Sequence, residues 1–295
     1  MKKIISNDKK DKFFYKKSLG QNFLTDEKLL AEIVDKAGVN ENTVVLEIGC
    51  GAGALTKELC KRAKKVVGYE IDERLIPTLN KIAEIYPNAI IINKDIMKED
   101  LAEIEKKTGE NYLLVANLPY YITTPVIMRF LENSDKIKGM AVMVQEEVAK
   151  RLAATAKSPD YGAITVAINL RGGAKIIEYV GREKFTPVPS VDSAVVKIDI
   201  EKGKFAGEDM FAVRNTVRCA FISRRKTLVN NIMNYYKTDR RTAEKIVCDC
   251  GFNPLCRGEE LTAENYVLLA KVLKEKGYEK KNSARDGKQR QTKRV

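Results

Sequence analysis

The 295-residue chain contains no histidine and no tryptophan. Without imidazole there is no His general base, no His-activated nucleophile and no His metal ligand. Its six cysteines (Cys50, Cys60, Cys219, Cys248, Cys250, Cys256) form no CxxC pair, and Cys248-Asp-Cys250 with Cys256 lacks a fourth ligand. Neither a zinc ribbon nor a dithiol redox site is therefore expected, and no metal. Free thiols suit a reducing cytoplasm, the expected location. Apolar runs extend only a few residues, which excludes a transmembrane helix and a membrane partner. The opening MKKIISNDKKDKFFYKK carries Lys without an apolar stretch, so it does not read as a signal peptide.

What is present is charge, unevenly placed. The chain holds 53 basic and 40 acidic side chains, a net +13, with 44% hydrophobic residues. That composition is globular, and the length suits about two domains. Residues 1–20 carry seven Lys against Asp8 and Asp11, and residues 280–295 carry seven Lys/Arg against Asp286. The intervening body is close to neutral. Basic ends on such a body point to a polyanion partner, RNA or DNA, although solvated tails have the same composition.

Helical periodicity marks 26–37, with Asp26 before it and Gly38 after it. From Thr43 apolar runs alternate with amphipathic stretches. Strands are expected at 43–48, 65–71, 89–93, 112–117 and 139–145, and helices at 54–62, 73–85, 97–107, 124–132 and 146–154. Strands this apolar, separated by helices, predict an α/β fold with a parallel sheet covered on both faces. Two later strands are expected at 174–180 and 193–200, flanking Phe185-Thr-Pro-Val-Pro-Ser190, an extended loop stiffened by Pro187 and Pro189. Segment 161–170 reads equally as helix or strand. After residue 202 only helical patterns remain, at 209–236, 239–250 and 262–276. The expected division is a basic tail (1–16), a catalytic domain (17–202), a small α-helical domain (203–279) and a basic disordered tail (280–295).

The chemistry should sit where the strands end. The first strand runs into Glu47-Ile-Gly49-Cys50-Gly51-Ala-Gly53 and then a helix, a setting in which Gly49 and Gly51 let the backbone approach a cofactor. The second strand ends at Glu70, 21 residues after Gly49, where a carboxylate holds ribose hydroxyls. The third leads to Asp95, an acceptor for an exocyclic amine. To this point NAD and S-adenosylmethionine fit equally. The fourth strand decides between them, because it ends in Asn117-Leu118-Pro119-Tyr120. The Asn117 amide oxygen and the Leu118 carbonyl can accept both N–H bonds of an adenine amine, while Tyr120 stacks on the ring. Held this way, a weakly nucleophilic nitrogen is positioned for methyl transfer without a strong base.

Several stretches together resemble a known family. Lys17-Ser-Leu-Gly-Gln-Asn22-Phe-Leu24, EIGCGAG, NLPYYITTP (117–125), QEEVAKRL (145–152) and FTPVPSVDSAVV (185–196) are similar to the ribosomal RNA adenine dimethyltransferases, over residues 12–275. The resemblance implies a Rossmann-like class I methyltransferase fold with a seven-stranded, mostly parallel sheet, and S-adenosyl-L-methionine as cofactor. It implies cofactor contacts at Asn22, Leu24, Gly49, Gly51, Glu70, Asp95 and Asn117. Leu118 with Tyr120, and a long helical domain that contains RGEELTAENYVLLAKVL (257–273), favour the small-subunit branch. That branch dimethylates two adjacent adenosines in the 3′-terminal hairpin of 16S rRNA, within the 30S subunit or its precursor, and acts in subunit assembly. A 23S rRNA dimethyltransferase and a non-catalytic 30S assembly factor are the alternatives. Cys50 stands where the family often has Pro, a change expected only to tune the loop. No sign of an oligomer is present, so a monomer is expected.

RNA contacts are expected in the first C-terminal helix. If 209–236 is straight, Arg214, Arg218 and Arg225 lie within about 40° of one another. Arg224 and Lys226 then widen that edge, while Val217, Phe221 and Leu228 face inward.

Overall fold

The computed structural model describes residues 22–278. A two-residue strand β1 (Phe23–Leu24) leads to helix α1 (Glu27–Ala37). The Asp26 side chain accepts from the Leu29 N–H at 3.1 Å to start α1, and Gly38, at φ 88°, ends it. Then follow β2 (Val44–Ile48), α2 (Ala54–Cys60), β3 (Lys65–Glu70), α3 (Ile76–Ile85), β4 (Ala89–Asn93), α4 (Leu101–Thr108), β5 (Tyr112–Asn117), α5 (Thr123–Asn133) and β6 (Ile137–Gln145). Next come α6 (Glu146–Leu152), α7 (Ala163–Asn169), β7 (Gly172–Val180), β8 (Phe185–Thr186) and β9 (Ser193–Ile200). Helices α8 (Met210–Ala220), α9 (Leu228–Tyr236), α10 (Arg240–Asp249) and α11 (Ala263–Glu275) complete the described chain.

Seven strands form one sheet in the order β4-β3-β2-β5-β6-β9-β7. Only β9 runs against the others, being antiparallel to both β6 and β7. Burial explains the apolar character: all five β2 residues are buried, as both faces of the strand are covered. On one face Val34 of α1, Leu59 of α2 and Ala83 of α3 pack with Val45 and Val115. On the other, Tyr112 meets Phe130 of α5 edge-on, with ring centroids 6.4 Å apart. Chain direction across the sheet reverses between β2 and β5, since β3 and β4 build outward on one side of β2 and β5 starts the other. In such sheets the crevice for a ligand opens at the carboxyl ends of the strands at this point. The short strands β1 and β8 pair antiparallel, Phe23 with Thr186 and Leu24 with Phe185, so part of the expected 185–190 loop is strand.

The described residues divide into two compact units, one of 22–154 with 171–204 and one of 155–170 with 205–278. The expected boundary at 202 is therefore corrected: residues 155–170 leave the sheet-containing unit and join the helical one. Hydrogen bonds and apolar burial hold them there. Tyr161 is fully buried, its hydroxyl donates to the Leu261 carbonyl at 3.0 Å, and the Lys157 N–H donates to the Glu259 carbonyl at 2.9 Å. The segment that read equally as helix or strand is the helix α7.

A second correction concerns 209–236, which is two helices. Helix α8 stops at Ala220, and Asn231 closes its end by donating from Nδ2 to the carbonyls of Ala220 (2.7 Å) and Ser223 (3.1 Å). Thr227 then caps α9 by accepting from the Asn230 N–H. Phe221, at the break, stacks on Tyr266 with centroids 6.2 Å apart. Among the described residues no helix is long and apolar enough to cross a membrane, and no cluster of three or more His, Cys, Asp or Glu is arranged to hold a metal ion. The two basic tails and Lys17–Gln21 lie outside the described residues.

Candidate active site

The loop from β2 to α2 turns on glycines. Gly51 has φ +58° and directs its N–H to the Glu70 carboxylate, Oε2, at 2.8 Å. A Cβ there would stand 3.0 Å from the Phe23 ring. Gly53, at φ +82°, begins α2, and a Cβ on it would come within 2.2 Å of the Ile82 side chain of α3. The loop is thus tight because a ring presses on one side and a helix on the other.

Glu70 ends β3 almost fully buried. Its Oε1 accepts from the Asp72 N–H at 2.8 Å, so two main-chain donors hold the carboxylate. Burial raises its pKa above the ordinary carboxylate range, the N–H groups of Asp72, Gly51 and Ile71 offset part of this, and the Asp72 charge adds to the rise. A carboxylate offers about four lone-pair sites, so about two remain for a ligand. Beneath the loop lies Glu47, fully buried, whose carboxyl oxygens reach no hydrogen-bond partner. Desolvation pushes its pKa up to about 7; neighbouring Thr56 and Cys50 offset part of this and the Glu70 charge adds to it. Cys50 is buried as well, and burial drives its thiol pKa well above the usual range. Asp95, after β4, accepts from the Met97 N–H at 2.9 Å and pairs with Lys98 at 3.6 Å.

Across the switch point, Asn117 ends β5. Its amide Nδ2 donates to the main-chain carbonyl of Asn22 at 3.3 Å, which leaves Oδ1 as the available acceptor. Pro119 (φ −54°, ψ 132°) turns the chain into one 3-10 turn, Tyr120–Ile122, closed by the Ile122 N–H on the Pro119 carbonyl at 3.1 Å. Leu118 is buried, Tyr120 is half-buried and Tyr121 is 64% exposed. The Tyr120 hydroxyl lies 3.0 Å from the Ser193 hydroxyl at the start of β9.

These groups surround one cavity of about 340 Å³ in the sheet-containing unit, within the range of small-molecule sites. All ten residues put forward from the sequence for cofactor and target line it. Leu24 does so while its side chain packs into the core with Leu30, Ile33 and Phe185, which leaves its backbone for any ligand contact. A family model described as ribosomal RNA adenine dimethylase matches residues 12–275. The chain belongs to that family.

Among relatives of this dimethylase, Ribosomal RNA small subunit methyltransferase A of Bacillus licheniformis is 42% identical over 270 residues, covering 89% of this chain and 92% of its own. The protein of the same name from Bacillus thuringiensis is 41% identical over 269 residues, covering 88% and 92%. In fold the chain is similar to a dimethyladenosine transferase from Plasmodium falciparum (TM-score 0.75, 25% identity, 86% of this chain and 98% of that one). It is also similar to the 23S rRNA methyltransferase ErmE (TM-score 0.67, 27% identity, 86% and 100%).

The arginines expected to form one stripe are not brought together in that way. Arg214 (half-buried) and Arg218 (exposed) lie on α8, but Arg224, Arg225 and Lys226 lie beyond its end, exposed in the α8–α9 connection. Arg224 is engaged inside the helical unit, donating to the carbonyls of Pro159 (2.7 Å) and Tyr161 (3.1 Å) and pairing with Glu259 at 3.3 Å. Of the inward set, Val217 and Leu228 are buried and Phe221 is half-buried. Sequence reasoning passed over Phe23, Ser193 and Glu47. Each sat inside a stretch already singled out, but only the fold shows what its side chain meets.

Proposed function

We propose that this dimethylase transfers methyl groups from S-adenosyl-L-methionine to the N6 amines of two adjacent adenosines in the 3′-terminal hairpin of 16S rRNA. It does so as a cytoplasmic monomer acting on the 30S subunit or its precursor, late in small-subunit assembly. The observation that carries this reading is the orientation of Asn117: its amide nitrogen is committed to the Asn22 carbonyl, so its oxygen is the group presented to an incoming N–H.

The residues present suit the cofactor. Glu70 retains lone pairs for two ribose hydroxyls, Asp95 supplies an acceptor for the adenine amine, and the Gly49–Gly51 backbone lies open along the same cavity. Asn22 and the Leu24 backbone close its other side. Bound there, the cofactor supplies an electrophilic methyl on a sulfonium centre.

The chain's own part is to make a poor nucleophile ready. An adenine amine shares its lone pair with the ring. Acceptance of its two N–H bonds by Asn117 Oδ1 and the Leu118 carbonyl favours the pyramidal nitrogen that attacks. Tyr120 stacks on the ring, and Pro119 fixes the turn that sets these groups side by side. The amine loses its proton after attack, when it is strongly acidic, so no imidazole is needed. Target bases in a hairpin loop are unstacked at low cost. Arg214, Arg218, Arg225 and Lys226 contact phosphates, whereas Arg224 serves the helical unit.

The test is methyl transfer from labelled S-adenosylmethionine to unmethylated 30S and 50S particles, with the modified nucleotides mapped. Dimethyladenosine in the small-subunit 3′ hairpin is the expected result. Label only in 50S particles would transfer the chain to the 23S-directed branch, which the likeness to ErmE keeps in view. Tight 30S binding without label would leave an assembly factor.

A further inference from the structure

Resting on that reading, we propose that Ser193 is a positioning residue for the transfer: its hydroxyl holds the Tyr120 ring at the angle needed to stack on the target adenine.

The two hydroxyls lie 3.0 Å apart, on residues 73 positions apart in the chain. Their surroundings differ. Ser193 is 1% exposed and sits where β9 enters the sheet, its backbone registered against Gln145 of β6 on one side and Val180 of β7 on the other. Asp192, just before it, is fixed too. Its main-chain carbonyl accepts from the Glu146 N–H at 3.0 Å, and its Oδ1 accepts from the Arg182 N–H at 2.9 Å. Ser193 is therefore an immobile anchor. Tyr120 belongs to a single 3-10 turn with no side-chain cap, half-exposed at the cavity. A ring so placed has two soft torsions, and the turn alone does not set them. The bond to Ser193 ties the far end of the ring to the sheet two strands away from β5.

The position matters for chemistry more than for stability. Sheet order separates the two halves of the cavity: Gly49, Glu70 and Asp95 lie at or just after the ends of β2, β3 and β4, while Asn117 ends β5 and Tyr120 follows it, reaching β9 through Ser193. The Ser193–Tyr120 bond thus acts on the target side only. Removing it frees the ring to sample other angles, and the adenine amine then spends less time aligned between its acceptors.

The experiment is a double-mutant cycle on the full chain with Ser193→Ala, Tyr120→Phe and the double variant, in single-turnover methyl transfer to unmethylated 30S particles. Each single variant is expected to slow transfer about 3- to 10-fold, with S-adenosylmethionine affinity changed less than twofold. The double variant should be no slower than the slower single one, because both changes remove the same bond. Ser193→Thr, which keeps the hydroxyl, should retain most of the rate. Tyr120→Phe, which leaves the buried Ser193 site packed, covers the case in which Ser193→Ala fails to fold. The proposal is overturned if Ser193→Ala transfers methyl at the wild-type rate, if the two penalties multiply, or if cofactor affinity falls in step with the rate. Absence of transfer to 30S particles by the wild-type protein would instead overturn the reading on which the proposal rests.

Discussion

Two buried glutamates 23 positions apart illustrate how placement decides the use of one side chain. Glu70 is desolvated but held by main-chain donors, and its remaining lone pairs face the cavity. Replacing it with Ala should weaken S-adenosylmethionine binding about 10- to 100-fold by calorimetry, the usual worth of charged hydrogen bonds, while the cooperative thermal transition persists. Unchanged affinity would remove Glu70 from the ribose. Glu47 is desolvated without such donors. Its pKa of about 7 lies above the ordinary 4.5, so the folded protein binds its proton more tightly than the unfolded chain does. Its contribution is therefore complete below about pH 4.5 and is lost as pH rises through 7, at a cost of roughly 3 kcal/mol above that. Glu47→Gln should raise stability to urea at pH 8 and leave it nearly unchanged at pH 4. A gain of equal size at both pH values would show that burial of its charge is not the cause.

At the level of elements, the glycine loop and the α8–α9 break show opposite degrees of legibility. The strand–glycine–helix passage at 44–60 is readable because backbone conformation is encoded locally: only glycine takes φ +82° at the start of α2 cheaply. Gly53→Ala should cost about 2 kcal/mol or more in denaturant unfolding, as it adds backbone strain to a clash with Ile82. The break at 221–227 was not readable from periodicity. Arg214, Arg218 and Arg225 keep helical spacing, but Asn231, eleven residues beyond Ala220, ends the helix by a tertiary hydrogen bond. Thr227 ahead of Leu228-Val-Asn-Asn was the available signal, an N-cap within an apparently continuous pattern. The same break sets Arg224, bonded within the helical unit, apart from Arg218 and Arg225, which are proposed to meet phosphates. Arg224→Ala should lower the thermal midpoint by about 2–4 °C, equivalent to roughly 1 kcal/mol. Charge reversal at Arg218 and Arg225 should leave the midpoint in place and reduce the slope of log affinity for RNA against log salt by about 1–2. If Arg224→Ala changes the slope and the reversals do not, those roles are exchanged.

For the molecule as a whole, alternation of apolar strands with amphipathic helices was enough to establish a covered parallel sheet, because β2, β3, β5 and β6 are largely buried, while only the edge strand β4 leaves an apolar side chain, Ile90, exposed. What periodicity could not reveal is that residues 155–170 belong with residues more than 35 positions downstream. Their helical pattern is ordinary, and the partners that bury Tyr161 have no local signature. Such a segment carries a consequence during synthesis. When the chain has emerged to residue 204, the sheet has all its strands, yet Tyr161, Val166 and Ile168, buried in the finished protein, still await α8 to α11. At 5–20 residues per second the ribosome needs roughly 4–14 s to deliver that remainder. For that interval the nascent protein displays the apolar side chains of Tyr161, Val166, Ile168 and Leu170 without their partners, a target for chaperones and a nucleus for aggregation. An enzyme whose proposed task is to finish ribosomes thus depends, more than its length suggests, on the pace of the ribosome that makes it.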